Sequence, residues 1–573
     1  MSYKFSVRTV SSLEACFLDD KITSKPEKKS FVMYRNEKLS FQVICSCDEW
    51  NNKEAAFCNL TVDGELSAYV KIREVVCVPN HYPVCPQNFD DNYMRTEPGL
   101  YPNLLRPLMY KGCYGSENGC MRMPVGQLRS FWIDVEIPNE ASISYNNSDL
   151  CFALNILSRD NKATEVASSV VSIRVSELCL PEQRLIHTEW FYCDCIAEAY
   201  HTKAFSTRHW KMIEKYMKTA VNNGINMIMM PVFTQELDTY IGGERMTTQL
   251  VKITVENDGK YTFDFALVDK WIDLCLKVGV KYFEIPHFFT QWGADHAPKI
   301  VATVKGRVKR IFGWETDSQG EEYAAFLSAF IPALVEHFKK RGIDKRCYYH
   351  ISDEPSLAQI DKYTACKKLI APHVKGYNII DALSSFEFYE KGVLDKPVCS
   401  ITHSEKFLEH KIPGLWVYYC GAGGKTQTTD RYLSMPMART RILGVQLFAN
   451  KIEGFLHWGY NFYHNFRSYE YVDILSCNDG EYFAPSGDMC LVYPGLDGEV
   501  WESMRLNAMR EAMDDIRALD LYESMFGREA AERIINENLS KPLTFFDYPR
   551  DSDYLLSLHD KVLLSLEEGK VGK

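Results

Sequence analysis

From about Phe31 to Val175 apolar and polar positions alternate in short runs, among them SFQVICSC, SAYVKIREVVCV, SFWIDVEIP and LCFALNIL. Successive side chains on a strand point to opposite faces, so this period of two marks half-buried strands. The segments between them, VDGE, PNHYP, NGC and YNNSD, carry the residues that turns require. The pattern predicts an antiparallel β-sandwich over residues 1–178. One connection, from about Pro79 to Pro124, is too long for a hairpin and is a candidate cover for a neighbouring domain.

Beyond Leu180 the texture changes. Eight strand-like runs, LIHTEWFY, NMIMMPVF, KYFEIPHFF, RCYYHISD, GYNIIDAL, KPVCSITHS, GLWVYYCG and EGFLHWGYNFY, alternate with amphipathic stretches or loops. Strands alternating with helices signal βαβ units and a parallel sheet, and eight of them favour a closed (β/α)8 TIM barrel. Apolar residues recur at spacings of three and four over His209–Asn223, Ala266–Val278, Glu321–Lys340, Ser356–Ile370 and Met435–Asn450, which predicts helices there. Ser356 and Ser434 stand where an N-cap is useful, and Gly224, Gly279 and Gly342 stand where a helix end takes positive φ. The barrel is expected over residues 179–525, followed by a C-terminal helical extension over 526–573. A last helical region runs from about Trp501 to Leu566.

At 573 residues the chain is long enough for these units, since an ordinary domain takes roughly 100–200 residues. The 46% apolar and 25% charged residues are ordinary globular values, whereas the 13% aromatic share is high and hints at surfaces that stack on sugars. A formal charge of −11 gives no dense basic face for phosphates, so no nucleic-acid partner is expected. The amino terminus lacks a cationic start followed by an apolar run, and no stretch reaches the about 18 apolar residues of a membrane span. A cytoplasmic protein without membrane insertion is the expectation. The 19 cysteines are scattered, and the close pairs Cys45/Cys47 and Cys193/Cys195 lack CxxC spacing, so most are read as buried thiols. No HExxH, helical histidine pair or EF-hand loop occurs, and neither metal nor cofactor is expected. The glycines of CGAGG, Cys420–Gly424, lack the Walker pattern and are read as a sharp turn.

In a (β/α)8 barrel the active site lies at the C-terminal strand ends. Strand one ends near Glu189, Trp190, Tyr192 and Asp194, strand two leads to Asp238, and strand three runs through Glu284 and His287 to Trp292. Strand four carries the strongest signal, because CYYHIS delivers two adjacent carboxylates, Asp353 and Glu354, before Pro355. Neighbouring side chains on a regular strand face opposite ways, so both reach one pocket only if the strand breaks there. Like charges that close raise one pKa, as general acid catalysis near neutral pH requires. The competing use is structural, with Asp353 capping the next helix and Glu354 in a salt bridge. An ordinary retaining glycosidase adds a second carboxylate about 5 Å across the scissile bond. Strand seven has none, and Glu453 lies at the wrong end of strand eight. One acid pair without an opposed nucleophile suits substrate assistance, in which the sugar's own 2-acetamido oxygen attacks C1.

Several segments, SFWIDVEIP, HTEWFYCD, PVFTQELDT, YFEIPHFFTQWGADHAPKI, HISDEPS and the stretch from LWVYYCGAGG to HWGYNFY, together resemble glycoside hydrolase family 123, the retaining β-N-acetylgalactosaminidases. The resemblance covers the sandwich-like part and the whole barrel. It implies Asp353 as the residue that orients the acetamido group and Glu354 as general acid and then base. A glycan ending in a 2-acetamido sugar is the implied partner.

For the substrate-binding shell the candidates are His187, Asp238, His287, Trp292, Tyr418, Trp458 and Tyr460, with Trp416 and Tyr419 also near strand ends. At most one of Tyr418 and Tyr419 faces the pocket if their strand is regular. The two histidines are as readily structural. Two rival functions stand beside the leading one: a barrel hydrolase of another 2-acetamido sugar such as a β-N-acetylglucosaminide, and a non-catalytic glycan-binding protein.

Overall fold

The computed structural model of the chain describes residues 3–571 except 51–54, 85–89, 113–115, 118, 139–140, 142, 144–146, 159, 161 and 422–426. The turn expected at Cys420–Gly424 therefore falls largely outside the described residues.

The alternating runs of the first third form two packed sheets. The larger has seven strands, in the order Tyr3–Ser11, Lys38–Trp50, Leu128–Glu136, Val70–Asn80, Gly99–Arg106, Val500–Ser503 and Val492–Pro494. The smaller has five, in the order Ser30–Arg35, Ala163–Cys179, Asn147–Leu157, Ala56–Asp63 and Met121–Met123. Their facing side chains, among them Phe41, Ile133, Phe152 and Ile173, make a closed apolar core, as period-two strands with one buried face require. Two features depart from the sequence reading. The pair Ser30–Arg35 and Ala163–Cys179 runs parallel, so the sandwich is not wholly antiparallel. The large sheet takes its last two strands from beyond the barrel, so it is not confined to residues 1–178; Trp501, expected at the start of a helical region, sits in one of them.

All eight predicted runs enter one closed parallel barrel, with strands Ile186–Glu189, Met227–Met229, Tyr282–Ile285, Cys347–Tyr349, Asn378–Leu383, Lys396–Ser400, Trp416–Tyr418 and Gly454–His457. The eighth pairs with the first, Ile186 opposite Gly454 and Glu189 opposite His457, which closes the ring. Gly454 has no side chain for a physical reason: a Cβ there would meet the indole of Trp416 at 2.2 Å. Trp416, paired with Gly454, therefore lies flat on the neighbouring strand at the N-terminal end of the barrel.

Helices form where period 3.6 predicts them, at Thr207–Asn222, Ala266–Val278, Glu321–Lys340 and Ile360–Ile370. Gly224, Gly279 and Gly342 all take positive φ. Ser356 forms a capping box with Gln359. Ser434 does not cap. Its hydroxyl donates to the Pro83 carbonyl, and the expected helix begins at Met437 and is interrupted at Ile442, between Met437–Arg441 and Leu443–Ala449. A four-stranded sheet of Lys252–Val255, Tyr261–Asp264, Ile300–Val304 and Arg307–Phe312, unforeseen in the sequence, is inserted in the loops after strands two and three. Helices Met504–Phe526, Arg528–Asn536 and Ser552–Val571 pack with the segment around Met437–Ala449 in one apolar cluster that also takes Leu105 and Trp132 from the large sheet. Among the described residues no helix is long and apolar enough to cross a membrane.

Candidate active site

A cavity of about 280 Å³ opens at the C-terminal ends of the barrel strands. That volume is near the low end of the roughly 300–1,000 Å³ of small-molecule sites and suits a short terminal group better than a long chain. Asp353 and Glu354 both line it.

They do so because the strand ends early. The fourth strand stops at Tyr349, and Glu354 adopts φ +41°, a left-handed backbone that turns its side chain to the same side as that of Asp353. Backbone hydrogen bonds hold the bend: the Glu354 amide donates to the Ala382 carbonyl at 3.1 Å, and the Trp292 amide donates to the Asp353 carbonyl at 2.9 Å. The Tyr418 hydroxyl donates to Glu354 Oε1 at 2.5 Å. Asp353 does not cap the next helix, since Ser356 and Gln359 do that. Two further lining residues, Asp238 at φ +53° and Trp292 at φ +56°, are also left-handed. Three non-glycine residues in that region around one cavity, each costing about 1–3 kcal/mol, are a cluster of backbone strain of the kind that functional sites retain.

Burial, then the carboxylates of Glu354 and Asp381, push the Asp353 carboxyl well above its usual range. Beneath it runs a buried polar network. His350 lies between Asp381 (3.0 Å from Nδ1) and Glu284 (2.7 Å from Nε2). Burial alone would lower its pKa, but hydrogen bonds to the two acids reverse that and raise it to about 10. His350 is therefore an imidazolium donating both N–H groups. Glu284 also accepts from Thr188 Oγ1 at 2.5 Å and Trp190 Nε1 at 2.9 Å, and Asp381 from Tyr363 Oη at 2.5 Å. The network fixes the floor from which Trp190 projects into the cavity.

A second network lies under the opposite wall. Arg431 Nη1 donates to both oxygens of Glu189, at 3.0 and 2.9 Å, with both side chains wholly buried. Arg431 Nη2 and the Gly459 amide both donate to His457 Nδ1, so the proton of a neutral His457 sits on Nε2. That N–H faces Asp488 Oδ1 at 3.0 Å, and Asp488 lines the cavity. Burial, then the Arg431 charge, lower the His457 pKa, which agrees with a neutral ring.

Of the predicted shell, Asp238, Trp292, Tyr418 and Trp458 line the cavity. The other three candidates do not. His187 is fully buried within strand one against Glu189, at 3.1 Å. Tyr460 is fully buried and donates to the Tyr216 carbonyl at 2.8 Å. His287 lies beside the cavity floor, its ring 4.3 Å from that of His350; burial, then the His350 charge, hold its pKa far below normal. Tyr419 points away, its hydroxyl toward Met509 Sδ, so of the two tyrosines only Tyr418 faces the cavity. Glu189 and Asp194, at the end of strand one, are bound by Arg431 and Arg245, while Trp190 and Tyr192 line the wall.

Sequence reading missed Gln291, Asp488, Phe466, Phe483 and Tyr82. Tyr82 comes from the long loop before Pro124, which thus reaches the barrel. Asp488 carried no signal, because its segment has no period. Asp381 did carry one: an acid inside the apolar run NIIDAL of a barrel strand must be paired.

Asp238 offers a pH test. Burial raises its carboxyl to about 7 against the opposing charges of Arg245 and Arg467, and its Oδ2 has no partner among the described residues. A raised carboxyl keeps its proton longer in the folded chain than in the unfolded one, so its contribution to stability falls as pH climbs from about 4 to about 7. Asp238→Asn removes that loss. Its melting temperature relative to the wild type is expected to rise between pH 4 and pH 8, and a pH-independent difference would contradict the assignment.

Residues 190–522 match the sequence model of the glycoside hydrolase 123 catalytic domain. The chain is similar in structure to a family 123 glycoside hydrolase from Clostridium perfringens, studied for glycolipid glycan hydrolysis, with TM-score 0.68 and 15% identity over 99% of this chain and 98% of that one. At that identity the likeness concerns the fold alone. A GH10 xylanase with a bacterial Ig-like domain from termite gut (TM-score 0.32, 8% identity, 68% of this chain and 90% of that one) and a family 5 mannosidase from Rhizomucor miehei (TM-score 0.32, 12% identity, 59% and 92%) are too remote to bear on it. No curated protein matches the chain in sequence.

Proposed function

The chain belongs to glycoside hydrolase family 123, and from that premise we propose that it releases terminal β-linked N-acetylgalactosamine from glycans by a retaining, substrate-assisted mechanism. The observation that carries the reading is the pair of consecutive carboxylates turned into one cavity by the left-handed backbone of Glu354.

Glu354 protonates the glycosidic oxygen as the C1–O bond breaks, and the acetamido carbonyl oxygen attacks C1 to give an oxazolinium. Asp353 accepts the acetamido N–H and takes up its proton as positive charge develops. A carboxylate whose proton affinity is raised, as burial and its neighbours raise that of Asp353, suits that duty. Water then attacks C1, Glu354 takes its proton, and the ring opens as Asp353 returns its proton to the acetamido nitrogen. Two inversions leave the anomeric configuration retained. Tyr418, donating to Glu354, orients the acid. Trp190, Trp292 and Trp458 supply faces for the sugar, and Asp238 Oδ2, without a partner among the described residues, is placed to bind a hydroxyl.

Among the described residues two carboxylates other than the pair line the cavity: Asp238, expected at the end of strand two, and Asp488, which the strand ends did not disclose. Asp488 is engaged by His457, and Asp238, raised to about 7, is a poor anionic nucleophile. Neither is suited to forming a covalent glycosyl intermediate.

The test is hydrolysis of aryl β-N-acetylgalactosaminide and β-N-acetylglucosaminide side by side. Turnover confined largely to the first is expected. Preference for the second replaces the sugar assignment, and saturable binding without turnover of either favours a glycan-binding protein. Progressive fluorination of the N-acyl group is expected to slow the reaction steeply, because it weakens the attacking carbonyl oxygen; a flat series would point to Asp488 or Asp238 as nucleophile. The Clostridium perfringens enzyme was studied on glycolipid glycans, which makes these the first natural substrates to try.

A further inference from the structure

Beside the cavity the long loop of the sandwich meets a barrel segment in a group of donors outside the catalytic pair. His81 Nδ1 is 3.7 Å from Asp479 Oδ2, and Cys477 Sγ is 3.6 Å from Asp479 Oδ1. The three side chains each offer a ligand atom, and those atoms lie within 4.8 Å of one another. Asp479 is fully buried, and its Oδ2 has no hydrogen-bond partner among the described residues although it faces His81. A buried carboxylate oxygen left in that state is costly unless something positive meets it.

We propose that His81, Asp479 and Cys477 bind a zinc ion that pins the sandwich loop to the rim of the active-site cavity. A thiolate, an imidazole and a carboxylate are the usual zinc donors, and two such ligands on a tetrahedral ion stand about 3.3–3.8 Å apart. The separation of His81 Nδ1 from Asp479 Oδ2, 3.7 Å, falls in that range, and the three ligand atoms lie close enough together for small side-chain adjustments to complete the set. The Cys477 thiol gives its proton to solvent on binding, His81 binds as the neutral ring, and the fourth position is left to water.

The location gives the ion a purpose. Tyr82, next to His81, and Phe483, whose amide donates to the Asp479 carbonyl at 2.9 Å, both line the cavity. Asn478 Nδ2 donates to the Pro79 carbonyl at 3.2 Å, so the two segments already touch. An ion here fixes two walls without touching Asp353 or Glu354. A second group, Asp194, Cys195, Glu198 and His464, is equally compact, but the Arg245 guanidinium already sits on Asp194 and Cys195, at 2.7 and 3.3 Å, and supplies the cation. The expectation of no metal came from short spacings. His81 lies nearly 400 positions from Cys477 and Asp479, and no spacing rule reaches that far.

The full chain, stripped with a chelator, would be titrated with zinc by calorimetry and with cobalt, whose thiolate complex absorbs in the near ultraviolet. One zinc per chain is expected, with the thiolate band lost in Cys477→Ser and affinity at least tenfold weaker in Asp479→Asn and His81→Ala. His81 is 51% exposed, so its replacement spares the fold even if the buried variants misfold. Absence of binding to the wild type, or equal binding by Cys477→Ser or His81→Ala, overturns the proposal. Because these readouts do not involve turnover, the site stands or falls apart from the glycosidase reading.

Discussion

Glu354→Gln is expected to slow cleavage of a glycoside with a poor leaving group by about 10²–10⁴-fold, the range that general acid catalysis contributes. With a good leaving group such as dinitrophenolate the loss should be much smaller, since that oxygen departs without a proton. Asp353→Asn should behave differently. An amide cannot take the acetamido proton, so the rate should fall whatever the leaving group. The split between the two variants is the informative result: Glu354→Gln with equal losses on both substrates would reassign the acid, and a fully active Asp353→Asn would remove the acetamido role. The proposed division of duties rests on the surroundings of the two acids, because Glu354 is held by the Tyr418 hydroxyl whereas Asp353 lies deeper, over His350.

The largest loss of stability is expected away from the pair, at Arg431. Its guanidinium is the cation for Glu189, and both are wholly buried. Burial opposes the charge on Glu189, but Arg431, with His187 and His457, lowers its pKa to about 2. Arg431→Met leaves that carboxylate buried without its cation, a change that costs about 3–5 kcal/mol when one partner of a buried pair is removed. In the wild type the depressed carboxyl contributes stability above about pH 4, lost as pH falls toward 2. In the variant the carboxyl is raised instead, so the deficit should widen from pH 4 to pH 8. Denaturant unfolding at both pH values measures this, and adding Glu189→Gln should recover much of the loss. A single variant as stable as the wild type at pH 8 would show that water reaches the pair. Activity should also suffer, because Arg431 donates to His457, which in turn holds Asp488 at the cavity wall.

Much of the architecture was legible because its signals are local. The eight apolar runs became the eight barrel strands, and the Gly-marked helix ends took positive φ. The runs SFQVICSC and SFWIDVEIP entered one sheet as antiparallel neighbours. The parallel pairing of Ser30–Arg35 with Ala163–Cys179 was not legible, since partners so far apart leave no trace in either strand's period. Ser434 misled for a similar reason. A serine before a helix looks like a cap, but the Pro83 carbonyl, about 350 positions away, claimed its hydroxyl.

The sequence by itself determined that HISDEPS would place two acids at the end of a barrel strand, because strand period and the proline that follows are properties of a few consecutive residues. Only the tertiary structure decided which polar residues share that cavity. Barrel closure turned His187, Tyr419 and Tyr460 into the core and brought Tyr82, Asp238 and Asp488 to the same cavity as the pair. Which way a strand residue faces is fixed by its register with neighbours from distant parts of the chain, and register is set by the packing of the whole ring.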